Sequence, residues 1–179
     1  MVEPQAARLL SGRLIFLALL LSIIFVQLMP IDTLPRRWPW PDLLVVTTMV
    51  WVARRPDLAP FWAIAGIFLL ADLLFQRPPG LWAALVLIMS EAIRKRAPHI
   101  RNMPIGLEWG TVAMGIVAIT LIYRLTLALV LLPQSPLGLT LIQMAMTIVF
   151  YPLVVMLAHL IFGVSRPAPG QVDSLGHRL

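Results

Sequence analysis

Apolar residues run along this chain in six blocks, each closed by charge, proline or both. The first is Leu14–Met29, extendable to Leu9 when Arg13 reaches back toward a polar boundary. Val26-Gln27-Leu28-Met29-Pro30 offers no small-x-small cleavage pattern, so the block reads as a retained segment rather than a secretory leader. There follow Leu43–Ala53, Leu58–Phe75, Gly80–Ile93, Trp109–Leu132 and Leu137–Gly163. A hydrocarbon core of about 30 Å takes around 20 helical residues at roughly 1.5 Å each. The pattern therefore predicts an all-α polytopic membrane protein with six transmembrane helices, spanning approximately 9–29, 40–54, 57–75, 79–94, 108–132 and 137–163. Residues 1–164 form the transmembrane domain, and 165–179 form a flexible tail that opens on Arg166-Pro167-Ala168-Pro169-Gly170.

The second block departs from this pattern, having about half the length a crossing needs. It must borrow its flanks, thin the bilayer, or lie buried among other helices. Gln76-Arg77-Pro78-Pro79 joins the third and fourth blocks as antiparallel neighbours, and Tyr151-Pro152 interrupts the sixth.

Composition agrees: 60% of residues are apolar, 12% are charged and the mean hydropathy is +0.90. That is too greasy for a water-exposed surface. The net charge of +6 would suggest nucleic acid in a soluble protein, but here it reads as membrane orientation, with no nucleic-acid partner. Arg8, Arg13, Arg54, Arg55, Arg94, Lys95, Arg96, Arg101, Arg166 and Arg178 fall on one side of a six-span layout, against Arg36, Arg37 and Arg77 on the other. Basic excess marks the cytoplasmic side, so both termini are expected in the cytoplasm and the chain in the plasma (inner) membrane. Trp38 and Trp40 then fall in the outer interfacial belt, Trp51 and Trp109 near the inner one.

A charge at the centre of a span costs roughly 2.5–3.5 kcal/mol on insertion scales, so each one needs a reason. Asp72 and Arg124 both fall in the outer half of their blocks. Depth allows an ion pair between them; the alternative leaves Asp72 in headgroup water and lets Arg124 snorkel to lipid phosphate. Asp42, after Trp38-Pro39-Trp40-Pro41, suits the N-cap of the second helix, or else competes for Arg124. Glu91 has Arg94 and Lys95 one turn on and reads as a local pair. Thr111, Gly115 and Ala118 form a small-residue stripe; Thr140, Gln143 and Thr147 can hydrogen-bond between helices. Such residues serve helix association, including a homo-oligomer.

With no Cys and with His99, His159 and His177 scattered, no metal motif stands out. Phosphate loops and nucleophile motifs are also missing, so no catalytic, cofactor-binding or metal residues are assigned. An intramembrane aspartate pair of Asp42 and Asp72 would be the one catalytic arrangement, but an arginine at matching depth would keep a carboxylate ionised. A carrier is a stronger alternative, since a half-length Pro-flanked segment and an intramembrane charge are features of transporter sites.

Pro41-Asp42-Leu43-Leu44, Trp51-Val52-Ala53-Arg54-Arg55-Pro56, Gly66–Phe75 with its Asp72, and Pro79-Gly80-Leu81-Trp82 follow one another in an order and spacing that resemble the rod shape-determining MreD family. Tyr151-Pro152-Leu153 resembles that family's C-terminal Tyr-Pro element, and Gln76 stands where the family usually has glycine. The resemblance implies a non-enzymatic membrane component of the cell-elongation machinery. It would bind MreC and, through it, connect MreB with RodA and a penicillin-binding transpeptidase partner. It also implies a six-helix fold like the substrate-binding subunits of energy-coupling-factor transporters, which keeps a vitamin-type carrier subunit as the alternative. On this reading Pro41, Asp42, Trp51, Arg54, Arg55, Asp72, Gly80, Arg124 and Pro152 are structural or partner-interaction candidates. Asp72 and Gly80 shape the outer end, while Arg54-Arg55 and Arg94–Arg96 hold the inner face against anionic membrane lipid.

Overall fold

The computed structural model describes residues 3–29, 39–100 and 104–162. Six helices follow in order: α1 (Glu3–Leu28), α2 (Leu43–Arg54), α3 (Phe61–Leu74), α4 (Leu81–Ile100), α5 (Ile105–Leu129) and α6 (Leu137–Phe162). Among the described residues there is no strand. Three stretches, Ala7–Leu28, Ile105–Leu129 and Leu137–Phe162, are long and apolar enough to cross a membrane. With 12 and 14 residues, α2 and α3 are shorter, and α4 carries Glu91, Arg94, Lys95 and Arg96 in its second half. The described residues are thus all-helical, and three of their helices give the chain the character of a membrane protein. Its outward faces agree, with Leu14, Phe25, Phe61, Ile88, Met114 and Leu160 all exposed. Apolar surface on that scale needs lipid or protein against it.

The short second block resolves as the axis of the bundle: every α2 residue from Leu44 to Arg54 is buried. It packs on α1, α4 and α6, and further packed pairs run α1 to α3, α3 to α4, α4 to α5 and α5 to α6. Of the three options for this block, burial among other helices is therefore the one adopted. The expected Trp51 is buried too, against Phe16 and Phe162, so it belongs to the core and not to an inner interfacial belt. Trp40 is exposed, as a belt residue should be. Trp38 and the tail from 165 lie outside the described residues.

Helix boundaries follow local chemistry. The third helix starts at Phe61 rather than near 57, because Pro60 forces Ala59 out of helical geometry and itself makes the extended first step. The fourth runs on to Ile100, past the expected end at 94, and the fifth starts at Ile105 after Pro104. After α3, Gln76 takes the left-handed conformation (φ 54°), with Gln76 N–H to the Leu73 carbonyl and Arg77 N–H to the Asp72 carbonyl. This is a glycine-type helix end formed by a glutamine. Gly80, at φ 86°, makes the turn into α4, a conformation that a side chain would strain.

Within α6, Pro152 has no N–H for the carbonyl of Ile148 one turn earlier. The indole Nε1–H of Trp109 on α5 supplies that bond instead, at 2.9 Å. In lipid no water can substitute, so the proline of one helix creates the docking point for the other. Trp109→Phe is expected to cost about 1–2 kcal/mol. In a Pro152→Ala background, where the helix regains its own bond, most of that cost should vanish. Thermal unfolding of the four proteins in detergent reads the coupling, and additive losses would contradict it.

Candidate functional site

The polar residues gather at the two ends of α2. At its C-terminal end Arg54 is 6% exposed, and its Nε and Nη2 meet Glu108 Oε1 and Oε2 at 3.1 and 3.5 Å. The hydroxyl of Tyr151 donates to Glu108 Oε1 at 2.7 Å. Glu108 sits in the first turn of α5, where a carboxylate also favours the positive end of the helix dipole. Three helices are joined here through one buried carboxylate. The expectation that Arg54 faces anionic lipid is therefore corrected: its charge is consumed inside the bundle. Arg55, paired with Asp57 at 3.5 Å, remains half-exposed, and Lys95 and Arg96 are exposed. Arg94 pairs with Glu91 at 2.9 Å, as its spacing implied, and also donates to the carbonyls of Pro56 and Ala59. Arg13 donates to the Asp57 carbonyl, so α1 and α4 together hold the turn between α2 and α3.

At the other end Asp42 caps α2, its Oδ1 accepting from Val45 N–H at 3.1 Å. Its own N–H donates to Thr147 Oγ1 at 2.9 Å, which ties the cap to α6. The interhelical use expected of Thr147 is met there, and that expected of Thr140 is met within the α5–α6 turn. Asp72 does for α4 what Asp42 does for α2. Its fully buried Oδ2 accepts from Gly80 N–H at 3.0 Å and Ala83 N–H at 3.1 Å, capping a helix whose own cap residue has no side chain.

The Asp72–Arg124 ion pair does not form. Arg124 turns instead to the α5–α6 connection, where Nη1 donates to the Ser135 carbonyl at 3.1 Å and to Thr140 Oγ1 at 2.6 Å. The alternative of Asp72 in headgroup water does not hold either, since the residue is fully buried against backbone N–H groups. Asp42 and Asp72 serve two different helix N-termini and do not form a dyad. Of the small-residue stripe, Gly115 lies against Met89 of α4, while Ala118 is exposed.

Above the first turn of α2 lies a cavity of about 250 Å³. Asp42 and Val45 contribute from α2, Trp82 from α4, Ile116 to Leu127 from α5, Thr140 to Thr147 from α6, and Arg77 and Pro133 to Ser135 from the turns. It adjoins an apolar cleft of about 670 Å³ that is lined by Ile23, Val26, Pro41, Leu43, Phe75 and Leu139, among others. The two share Asp42, Arg77 and Gln143. Among the described residues no group of three metal-ligating side chains occurs.

Sequence reading missed Glu108, the acid that closes the Arg54 joint. Its position four residues after Pro104, just ahead of an apolar run, was an available signal. Ten basic residues assigned to the same side competed for it. Comparison with family models, curated proteins and solved structures finds no match to this chain.

Arg54→Ala should destabilise the protein by roughly 3–5 kcal/mol, because it strands a buried carboxylate. Tyr151→Phe should cost about 1.5–3 kcal/mol; both are read by thermal unfolding in detergent. Asp72→Ala is expected to cost about 2 kcal/mol as a lost cap in a buried site. Exchanging charges in Asp72→Arg, Arg124→Asp should give no recovery over the single variants, and recovery would restore the ion-pair view.

Proposed function

We propose that this chain is a non-enzymatic scaffold of the cell-elongation machinery, a multi-pass plasma-membrane protein of the MreD type. On this reading it binds MreC and through it connects MreB, RodA and a penicillin-binding transpeptidase. The observation that carries it is the use made of the residues behind the resemblance. Asp42, Arg54, Asp72, Gly80 and Tyr151-Pro152 all go into helix caps and interhelical joints. A molecule whose polar groups are spent on holding its own shape is suited to present that shape to partners. Six crossings and cytoplasmic termini belong to the same proposal. Arg13, Arg54 and Arg94 are all engaged around the turn between α2 and α3 or beside it, whereas Arg77 and Arg124 line the cavity at the other end of α2. That bias supports the α2–α3 turn facing the cytoplasm.

The second reading, a substrate-binding membrane subunit of a small-molecule transporter, is favoured by that cavity. Affinity purification of the full chain from mild detergent, followed by mass spectrometry, separates the two. The scaffold reading expects a one-span protein with a large extracytoplasmic region together with elongation enzymes. Co-purifying ATPase subunits would replace it with the carrier.

A further inference from the structure

Arg77 and Arg124 reach the same cavity, and among the described residues neither is ion-paired. Arg77 lies over the rings of Phe75 and Trp82, at 5.3 and 5.7 Å from their centroids. Arg124 is bonded only to neutral oxygens, which leaves most of its donors for another acceptor. Of the acids at this end, Asp42 caps α2 through Oδ1 while also lining the cavity, and Asp72 caps α4 through Oδ2, attracts Arg77 from beyond ion-pair distance and keeps a buried Oδ1 without a partner. Trp82, which also lines the cavity, has a buried Nε1–H without an acceptor. A buried donor left unpaired costs about 1–3 kcal/mol, and there is no apolar solution to two guanidinium groups around one void. Two guanidinium groups thus line the cavity against a single lining carboxylate, that of Asp42, so the lining carries a net positive charge.

The adjoining cleft supplies the other half of a ligand's shape. Its volume falls in the roughly 300–1,000 Å³ range of small-ligand sites, with the cavity just below it. Ile23, Val26, Leu43 and Phe75 make its wall apolar, and Arg77 stands at the junction. An anionic head joined to a hydrocarbon chain matches this sequence of surfaces.

We propose that the cavity and cleft bind one anionic phospholipid of the surrounding membrane, with its phosphate between Arg77 and Arg124 and an acyl chain along α1. Arginine is suited to this because its planar fork of donors meets phosphate oxygens in pairs. The shortness of α2 makes room for the head: Asp42 meets Thr147 well inside α6, and the space beyond the first turn of α2 is left to the ligand. This site stands independently of the scaffold reading and concerns the chain alone.

Native mass spectrometry of the full chain in detergent tests it, with phosphatidylglycerol and phosphatidylcholine of identical acyl chains. The wild type should retain phosphatidylglycerol about tenfold better. Arg77→Gln, Arg124→Gln should remove that preference, while Arg77→Lys, Arg124→Lys should keep a good part of it. Val26→Trp, at an exposed cleft position, should lower phosphatidylglycerol retention several-fold without touching the arginines, so the proposal stays testable if the glutamine pair unfolds. Equal retention of the two lipids by the wild type would overturn it. So would a preference that survives in the glutamine pair, or displacement of phosphatidylglycerol by millimolar inorganic phosphate, which would mark a site for a free anion.

Discussion

A helix of twelve residues that is buried along nearly its whole length needs neighbours to satisfy the open backbone groups at both of its ends. In this molecule α2 is that helix, and the arrangement around it follows from how its ends are met. At the start, the Asp42 side chain takes a free N–H of the first turn and the Asp42 backbone binds Thr147 of α6. At the finish, Arg54 carries its charge to Glu108 of α5, which Tyr151 of α6 also binds. Both ends of α2 are thereby tied to α6, and one of them to α5 as well. A buried ion pair of this kind adds little net stability compared with apolar packing, but it is costly to break, so it selects one arrangement of helices over others.

The same economy recurs through the bundle. Asp72 crosses from α3 to cap α4, and Trp109 crosses from α5 to the carbonyl that Pro152 leaves open in α6. In each case a backbone group that the helix cannot satisfy becomes the joint to its neighbour. Association of helices in lipid has no hydrophobic force behind it, so such joints, with close packing such as that of Gly115 on Met89, set which faces meet. Arg94 and Arg13 do this for a turn rather than a helix, donating to three of its carbonyls. Charges that would be expensive as isolated groups are spent as ties.

One consequence is that the ends of the molecule differ in kind. Beside the α2–α3 turn, Arg13, Arg54 and Arg94 have protein acceptors. At the other end Arg77 and Arg124 line a cavity together with Asp42, while Asp72 is directed to the N-terminus of α4. Because α2 begins deep within the bundle, its shortness and the cavity beyond its first turn have one cause.

Much of this was legible from residues alone. The six apolar blocks correspond to the six helices, since a block with no polar face can only be buried or lipid-facing, and Asp42 and Glu91 found the local partners that their spacing implied. Local chemistry reaches only a turn or so along the chain, and that is where sequence reading stopped being decisive. Asp72 had a plausible arginine at matching depth and took backbone N–H groups instead; Arg54 stood among solvent-type basic residues and became a core residue. Periodicity carries no signal for which of several equally apolar helices is central, because every face of such a helix can be buried. Nor does it say which of many basic residues will meet one acid. Only packing in three dimensions, where each buried charge and each open backbone group has to find its partner at once, decided that α2 is the axis and Glu108 its lock.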